Sequence, residues 1–185
     1  MSSRPLFSLE LSGNHRALLW RDLYAFESRD DVNINGLSKK WVLLHAYTSS
    51  DGGRNLPAID ATAVYSGGFA ISKLKANNFF SEIHSEIEFL NILVDSEPWY
   101  FVNCLSKVDV FDEARSSVGR GLDGRVFFVS RLVLSEASLD GLDLFTLGNS
   151  NRAQLFVSKR FKDRAEAMCL RGICFREIGE VISPQ

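Results

Sequence analysis

The sequence predicts an α+β fold in which strands outnumber helices, built on a mixed or antiparallel sheet. Three observations carry that prediction. Runs rich in Val, Ile, Phe and Tyr recur along the chain, each bounded by turn residues. Only two segments read as helices entered through a serine. Strand and helix do not alternate strictly enough for a doubly wound parallel sheet.

Taken in order, Phe7–Leu11 reads as the first strand, followed by a mixed stretch over Leu18–Phe26 and the polar loop Ser28–Gly36. Lys40–Thr48 is rich in β-formers and predicts a strand. The Gly, Asp and Pro of Ser49–Pro57 predict an exposed loop, the best place for mobility or an internal boundary. Ser72 stands as the N-cap of a helix over Lys73–Ser81, and Ile87–Val94 returns as a strand. Glu97-Pro98 reads as a turn into a strand over Trp99–Leu105. A looser segment, Ser106–Gly124, leads to the aliphatic and aromatic run Arg125–Leu134, a further strand. Leu144–Leu147 and Leu155–Val157 are short strands. Ser158 caps a helix over Lys159–Cys169, Gly172 stops it, and Ile173–Ile178 is a strand.

Two stretches echo each other. Phe69-Ala-Ile-Ser72-Lys-Leu-Lys and Leu155-Phe-Val-Ser158-Lys-Arg-Phe-Lys share a strand end, a serine and a basic first turn, and Phe89 and Phe175 follow their serines at equal distance. This predicts two similar β–Ser-capped helix–β units. A shared plan and the recurrence of a common supersecondary motif both account for it.

Composition excludes several classes. The 185 residues are 45% hydrophobic and 24% charged, with a formal charge of −2. That describes a globular chain able to bury a core without metals or disulfides, and not a strongly basic nucleic-acid binder. The first ten residues hold one basic residue, and Glu10 interrupts them before a signal-peptide core develops. No window nears the roughly 18 apolar residues of a membrane helix. Three cysteines without a CxxC fit reduced thiols in the cytoplasm, with Cys104 and Cys174 expected buried in strands and Cys169 at a helix end.

Candidate chemistry is sparse. Gly119-Arg-Gly121-Leu-Asp-Gly124 matches GxGxxG, but the strand pattern after it predicts a turn rather than a phosphate loop. Asp109, Asp112 and Glu113 form an acidic knot suited to a solvated turn or to docking a basic partner. His84, Glu86 and Glu88 alternate and share a face if their strand begins early. The cluster Lys159, Arg160, Lys162 and Arg164 is interleaved with Asp163 and Glu166 and reads as a solvated helix face. No GxSxG, HExxH or Cys–His nucleophile context occurs, so no cofactor or metal site is expected.

The later part of the chain resembles a known family. The residues that carry this are Pro98-Trp-Tyr-Phe-Val-Asn-Cys-Leu-Ser-Lys-Val-Asp109-Val-Phe-Asp112, Gly141-Leu-Asp-Leu-Phe145, and Leu155-Phe-Val-Ser-Lys-Arg-Phe161 with Leu170-Arg-Gly172-Ile-Cys-Phe175. Phe69-Ala-Ile-Ser72 fits the family's earlier helix start. Together they are similar to a bacterial immunity-protein domain encoded beside polymorphic toxins, including type VI secretion effectors. The resemblance covers residues 61–185, with residues 1–60 as a variable N-terminal part of the same domain. It implies a cytoplasmic, non-enzymatic inhibitor that binds a cognate toxin from a neighbouring gene and blocks its active site, without touching nucleic acid or membrane. Asp109, Asp112, Glu113, Glu86 and Glu88 are the candidate partner-binding residues. Residues 1–98 hold nine Lys/Arg against twelve Asp/Glu, the remainder twelve against eleven, so the N-terminal half suits a basic toxin better. The competing reading is a hydrolase or toxin-modifying enzyme using His84 and the Asp109–Glu113 acids.

Overall fold

A computed structural model describes residues 3–21, 37–38, 41–49, 55–64, 68–150 and 154–183. The expected loop Ser28–Gly36, residues 22–26 of the mixed stretch and most of the expected loop Ser49–Pro57 lie outside them. Among the described residues the chain forms thirteen strands and three helices. The strands are β1 (Ser3–Leu11), β2 (Ala17–Trp20), β3 (Leu44–Ser49), β4 (Ala61–Val64), β5 (Gly68–Ser72), β6 (Ile87–Val94) and β7 (Glu97–Cys104). They continue as β8 (Lys107–Val108), β9 (Ser117–Arg120), β10 (Val126–Ser135), β11 (Leu144–Leu147), β12 (Leu155–Ser158) and β13 (Ile173–Ile182). The helices are α1 (Lys73–Phe80), α2 (Glu136–Leu139) and α3 (Lys159–Ala167). The fold is α+β and sheet-rich, as the strand-forming runs predict.

The strands make two sheets, ordered β8-β11-β12-β1-β13-β10-β9 and β2-β3-β6-β7-β5-β4. Six strands of each sheet follow one plan. From β4 the second sheet runs antiparallel through β5, β7 and β6, then parallel to β3 and antiparallel to β2. From β11 the first runs antiparallel through β12, β1 and β13, then parallel to β10 and antiparallel to β9. In the first sheet the chain's N-terminal strand β1 stands where β7 stands in the second. Helices α1 and α3 each carry the chain over that central strand, from β5 to β6 and from β12 to β13. The joins match as well: the N–H of Ser72 donates to the Asp60 carbonyl at 2.8 Å, and that of Ser158 to the Asp143 carbonyl at 2.9 Å.

The two serines differ in detail. Ser158 Oγ accepts from Phe161 N at 3.2 Å, a true side-chain cap. Ser72 holds the N-cap position of α1, but its hydroxyl makes no cap bond. The carboxylate in the matching place on that side, Asp60, is held by the guanidinium of Arg171 at 2.8 and 3.0 Å.

One hydrophobic cluster spans both sheets, with Phe7, Leu9, Leu155 and Val157 from the first and Phe69, Ile71 and Val102 from the second. The helices close it. Phe79 of α1 meets Phe161 of α3 edge to face at 4.9 Å between centroids, and Phe161 also meets Phe69 at 6.2 Å. Each such pair adds about 0.5–1.5 kcal/mol to simple area burial. A further cluster on the six-stranded sheet contains Leu90, Ile92 and Phe101. Trp41 stacks on Phe101 there at 5.8 Å, and its indole N–H donates to the Asn91 carbonyl at 2.8 Å. This corrects the expected strand over Lys40–Thr48: Trp41 to Leu43 stand outside the ladder, and β3 begins at Leu44.

Other boundaries move for local reasons. Glu97 and Pro98 are the first residues of β7, not a turn; proline is tolerated at a strand's start. The turn is Asp95-Ser96, with φ of 51° and 69°, a two-residue hairpin loop with both residues left-handed. Asp95 is held there by Thr48, whose N–H and hydroxyl donate to its carboxylate at 3.1 and 2.7 Å. Helix α3 ends at Ala167, and Cys169 takes the left-handed conformation at φ 50°. Gly172 therefore does not stop the helix. At φ 103° it lies against β4, and a Cβ there would come 2.7 Å from Ile59 Cγ2 and nearer still to the Ala61 carbonyl.

All three cysteines are free, and Cys104 is buried, as expected; Cys174 is exposed rather than buried, and Cys169 is exposed too. Cys174 sits near the end of the sheet, and its thiol points to the Leu11 carbonyl at 3.5 Å. Local burial, with the charge of Glu10, pushes that thiol's pKa up. Labelling of native protein with a thiol reagent at neutral pH is therefore expected to modify Cys169 first, Cys174 more slowly, and Cys104 only on unfolding. Site-resolved mass spectrometry over time checks the order; rapid native labelling of Cys104 would contradict it.

Candidate functional site

The acidic candidates lie along the path by which the chain changes sheets. Strand β7 ends at Cys104, and Leu105-Ser106 carry the chain across to β8, which pairs with β11 in parallel. Glu86 braces this crossing through its backbone: its carbonyl accepts from Leu105 N at 2.8 Å and Ser106 N at 3.2 Å. Its own N–H donates to Ser106 Oγ at 2.7 Å. The residue is exposed.

Glu88 is committed elsewhere. Its carboxylate accepts from Leu37 N at 2.7 Å, Ser38 N at 3.0 Å and Asn103 Nδ2 at 3.0 Å. Burial pushes its pKa up, but these donors outweigh burial and hold it below the ordinary carboxylate value. Glu88 thus anchors the segment at 37–38 to the sheet.

The knot itself divides in the same way. Asp109 is exposed just after β8, with its carboxylate packed against Gly148. Asp112 Oδ1 accepts from the N–H groups of Ala114 and Arg115, both at 3.1 Å, an Asx turn. The Asp112 N–H donates to the Val133 carbonyl at 2.9 Å, which docks the loop onto β10. Glu113 is ion-paired with Arg120. Beside this loop lies an open, largely apolar depression of about 400 Å³ lined by Val110, Phe111, Leu134, Ala137 and Ile182, with Asp112 and Arg115 as its charged members.

His84 falls in other company. It lines a depression of about 270 Å³ together with Glu136, Asp143, Ser158 and Arg160, a set that includes none of Asp109, Asp112 or Glu113. The Asp143 side chain is 3% exposed. It accepts from His84 N at 2.9 Å, Ser158 Oγ at 2.6 Å and Arg160 Nε at 3.0 Å, with a further Arg160 contact. That bonding, and Asp143's charge, push the Arg160 pKa up. The arrangement is a satisfied structural ion pair joining the loop before β6 to the start of α3. Among the described residues no group of three or more His, Cys, Asp or Glu is placed to hold a metal ion.

The sequence reading placed the strand that is β10 and the turn before it, but missed β9, which completes a β9–β10 hairpin. The GxGxxG stretch forms its end, as the predicted turn: Gly121 N donates to the Arg125 carbonyl at 2.9 Å, and Gly124 has φ 78°. Strand β10 pairs with β9 through two register shifts, one between Val126 and Phe128 and one between Val129 and Arg131. Its burial consequently repeats every three residues: Val126, Val129 and Leu132 are buried, while Phe127, Phe128, Ser130 and Arg131 face out. Phe127 is 68% exposed and Phe128 49%, and Leu122 at the tip is fully exposed. A signal was present in Val126-Phe-Phe-Val129-Ser-Arg-Leu132, whose branched residues recur at a spacing of three rather than the two of an unbroken strand.

Among the described residues no helix is long and apolar enough to cross a membrane. A family model described as "Immunity protein family (Imm11)" matches residues 14–180. No curated protein matches the chain.

Proposed function

The chain belongs to the Imm11 immunity protein family, and from that premise we propose that it neutralises a cognate bacterial toxin by binding it and covering its active site. The observation that carries the reading is the extent of the family match, residues 14–180, which takes in all of the six-stranded sheet and the seven-stranded sheet except β1 and the end of β13. The geometry supports a binder over an enzyme. His84 stands apart from the Asp109–Glu113 acids in the lining of the depressions, and Asp143, Glu88 and Asp112 are engaged in holding loops in place.

Binding of this kind calls for about 800 Å² from each partner, under a tenth of the 10250 Å² that this chain exposes. Of the five acidic candidates, Asp109 and Glu86 keep exposed carboxylates with no ion pair among the described residues, and Asp112, Glu113 and Glu88 act through the loops they shape. Asp109 and Glu86 serve as steering charges toward a basic toxin surface, where opposite charge raises the association rate more than the final affinity. The setting is cytoplasmic, and the toxin is encoded by a neighbouring gene, including the effectors of type VI secretion.

Co-expression with the toxin domain encoded beside it, in a sensitive host, is expected to restore growth and to yield a one-to-one complex on purification. A dissociation constant of about 1 nM or tighter is expected, about −12 kcal/mol. Protection should fail once toxin exceeds inhibitor. Full protection by far fewer copies than toxin, with no complex recovered, would establish the enzymatic reading instead.

A further inference from the structure

We propose that the β9–β10 hairpin anchors the toxin domain, with Phe127, Phe128 and Leu122 entering an apolar depression on the toxin whose rim is acidic; this rests on the toxin-binding reading above.

The first argument is the cost of the arrangement. An unbroken strand would turn one of two successive phenylalanines inward. Here the register shift at Val126/Phe128 turns both outward and puts Val126 and Val129 into the core on either side. The bulge thus re-aims an aromatic side chain into solvent, a use of bulges that recurs beside functional sites. Glycine lies opposite: Gly119 pairs with Phe128 and offers no side chain to cover the ring. Two adjacent exposed phenylalanines, with an exposed leucine at the tip of the same hairpin, supply apolar anchors of the type that dominates interface energetics.

The second argument is the contrast between the two sheets. The strand that occupies the corresponding place in the six-stranded sheet, β3, pairs with β2 in unbroken register from Ala17↔Ser49 to Trp20↔Ala46. Its Leu44–Tyr47 stretch keeps the ordinary alternation of buried and exposed residues. Pairing in this position therefore does not require a bulge. Apart from the shift at Leu6/Phe7 between β1 and β13, the irregular pairing falls in the hairpin that exposes the aromatics.

The third argument is charge and rigidity. From Ser117 to Arg131 the hairpin carries Arg120, Arg125 and Arg131 against Asp123 alone, so carboxylates suit the partner's rim. Arg125 and Arg131 have side chains 67% and 59% exposed and are paired with Asp123 at 3.6 Å and Glu180 at 3.2 Å, exposed pairs of the weak kind that a partner's carboxylate can replace. Arg120 instead pins the loop, donating from Nη1 to the Gly124 carbonyl at 3.0 Å and pairing with Glu113. A hairpin held in this way loses little freedom on binding, which conserves affinity. Asp109 stands near the hairpin's base: its carboxylate packs against Gly148, and Asn149, the next residue, accepts from Val126 N at 2.8 Å.

The test measures binding of the purified full chain to the toxin domain encoded beside it. The variant Phe127→Ser/Phe128→Ser is expected to keep its thermal midpoint, since both rings face solvent, and to weaken binding at least about 100-fold. Leu74→Ser, at an exposed site on α1, should bind as the wild type does. Arg125→Glu/Arg131→Glu should slow association about tenfold or more, an effect that fades as salt rises. A double phenylalanine variant that folds and binds within threefold of the wild type overturns the proposal while leaving toxin binding intact. Loss of self-association alone, with toxin affinity unchanged, overturns it in favour of a second copy of this chain as the occupant. A wild-type chain that neither binds nor protects overturns the toxin reading itself, and the wild-type control separates that failure from failure of the hairpin.

Discussion

Gly179→Ala is expected to destabilise this protein more than any other single methyl addition. Gly179 pairs in parallel with Leu132 of β10 and, beside the register shift at Leu6/Phe7, with Leu6 of β1. A Cβ there would stand 2.7 Å from the Leu132 carbonyl carbon and 2.9 Å from its nitrogen, and closer still to its oxygen. All three are backbone atoms of the neighbouring strand, so no flexible side chain can move aside. Relief requires the β10–β13 pair to part at the place where Leu132, Leu134, Ile178 and Val181 build one core cluster. Overpacking costs typically about 1–3 kcal/mol when neighbours can adjust; with backbone on every side, about 4 kcal/mol is expected, a large share of a typical folding free energy. For a chain of this size that lowers the melting temperature by roughly 10 °C. Gly13→Ala is the matched control, since nothing lies within 4 Å of its Cβ position, and it should change stability by less than about 1 kcal/mol. Urea unfolding of the two variants decides the matter. A Gly179→Ala protein as stable as the wild type would mean that the two strands do not approach this closely.

Asp143→Ala is the second large effect, expected at about 3 kcal/mol. The carboxylate is buried and meets four donor groups from two segments: His84 N on one side, and Ser158 Oγ with Nε and Nη of Arg160 on the other. Its backbone N–H also donates to the His84 carbonyl at 2.9 Å. Removing the side chain strands the His84 N–H and frees the start of α3. Arg160 softens the loss, because its side chain is 51% exposed and water takes up the released guanidinium. Arg160→Ala should cost less than Asp143→Ala for its lost bonds, yet it leaves a buried carboxylate without its cation. The double variant should therefore be less destabilised than the sum of the two, with a coupling of about 1 kcal/mol or more. Purely additive losses in a double-mutant cycle would show that the pair contributes no interaction energy.

Much of the fold was legible because local patterns and tertiary needs agree. Ile87–Val94 forms a strand over the residues its β-formers mark, and Ser158 caps α3 as its position before a helix-forming run implies. The missed features share a cause. Asp95-Ser96 turns because Thr48, far away in sequence, holds the Asp95 carboxylate; Glu97-Pro98 has the stronger local turn signature but lies in the ladder. Cys174 resembles a core residue by its neighbours in sequence, yet on β13 it is the exposed residue beside buried Ile173. Among the acids, sequence adjacency placed Asp109, Asp112 and Glu113 in one functional group. The fold assigned one to solvent, one to an Asx turn and one to an ion pair with Arg120.

The sequence by itself determined the α+β fold class, the helices that begin after Ser72 and Ser158, and the family. The first two follow from short-range properties, namely β-propensity, capping chemistry and the composition of each stretch, and the family from the resemblance carried by Pro98–Asp112, Gly141–Phe145 and Leu155–Phe161. Tertiary structure alone decided that β1 completes the sheet of the chain's last strands, that His84 meets Asp143, and that Phe127 and Phe128 face out together. Each of those depends on which strand lies beside which and in what register. A shift of one residue exchanges the faces of a strand, and only the neighbouring strand sets it.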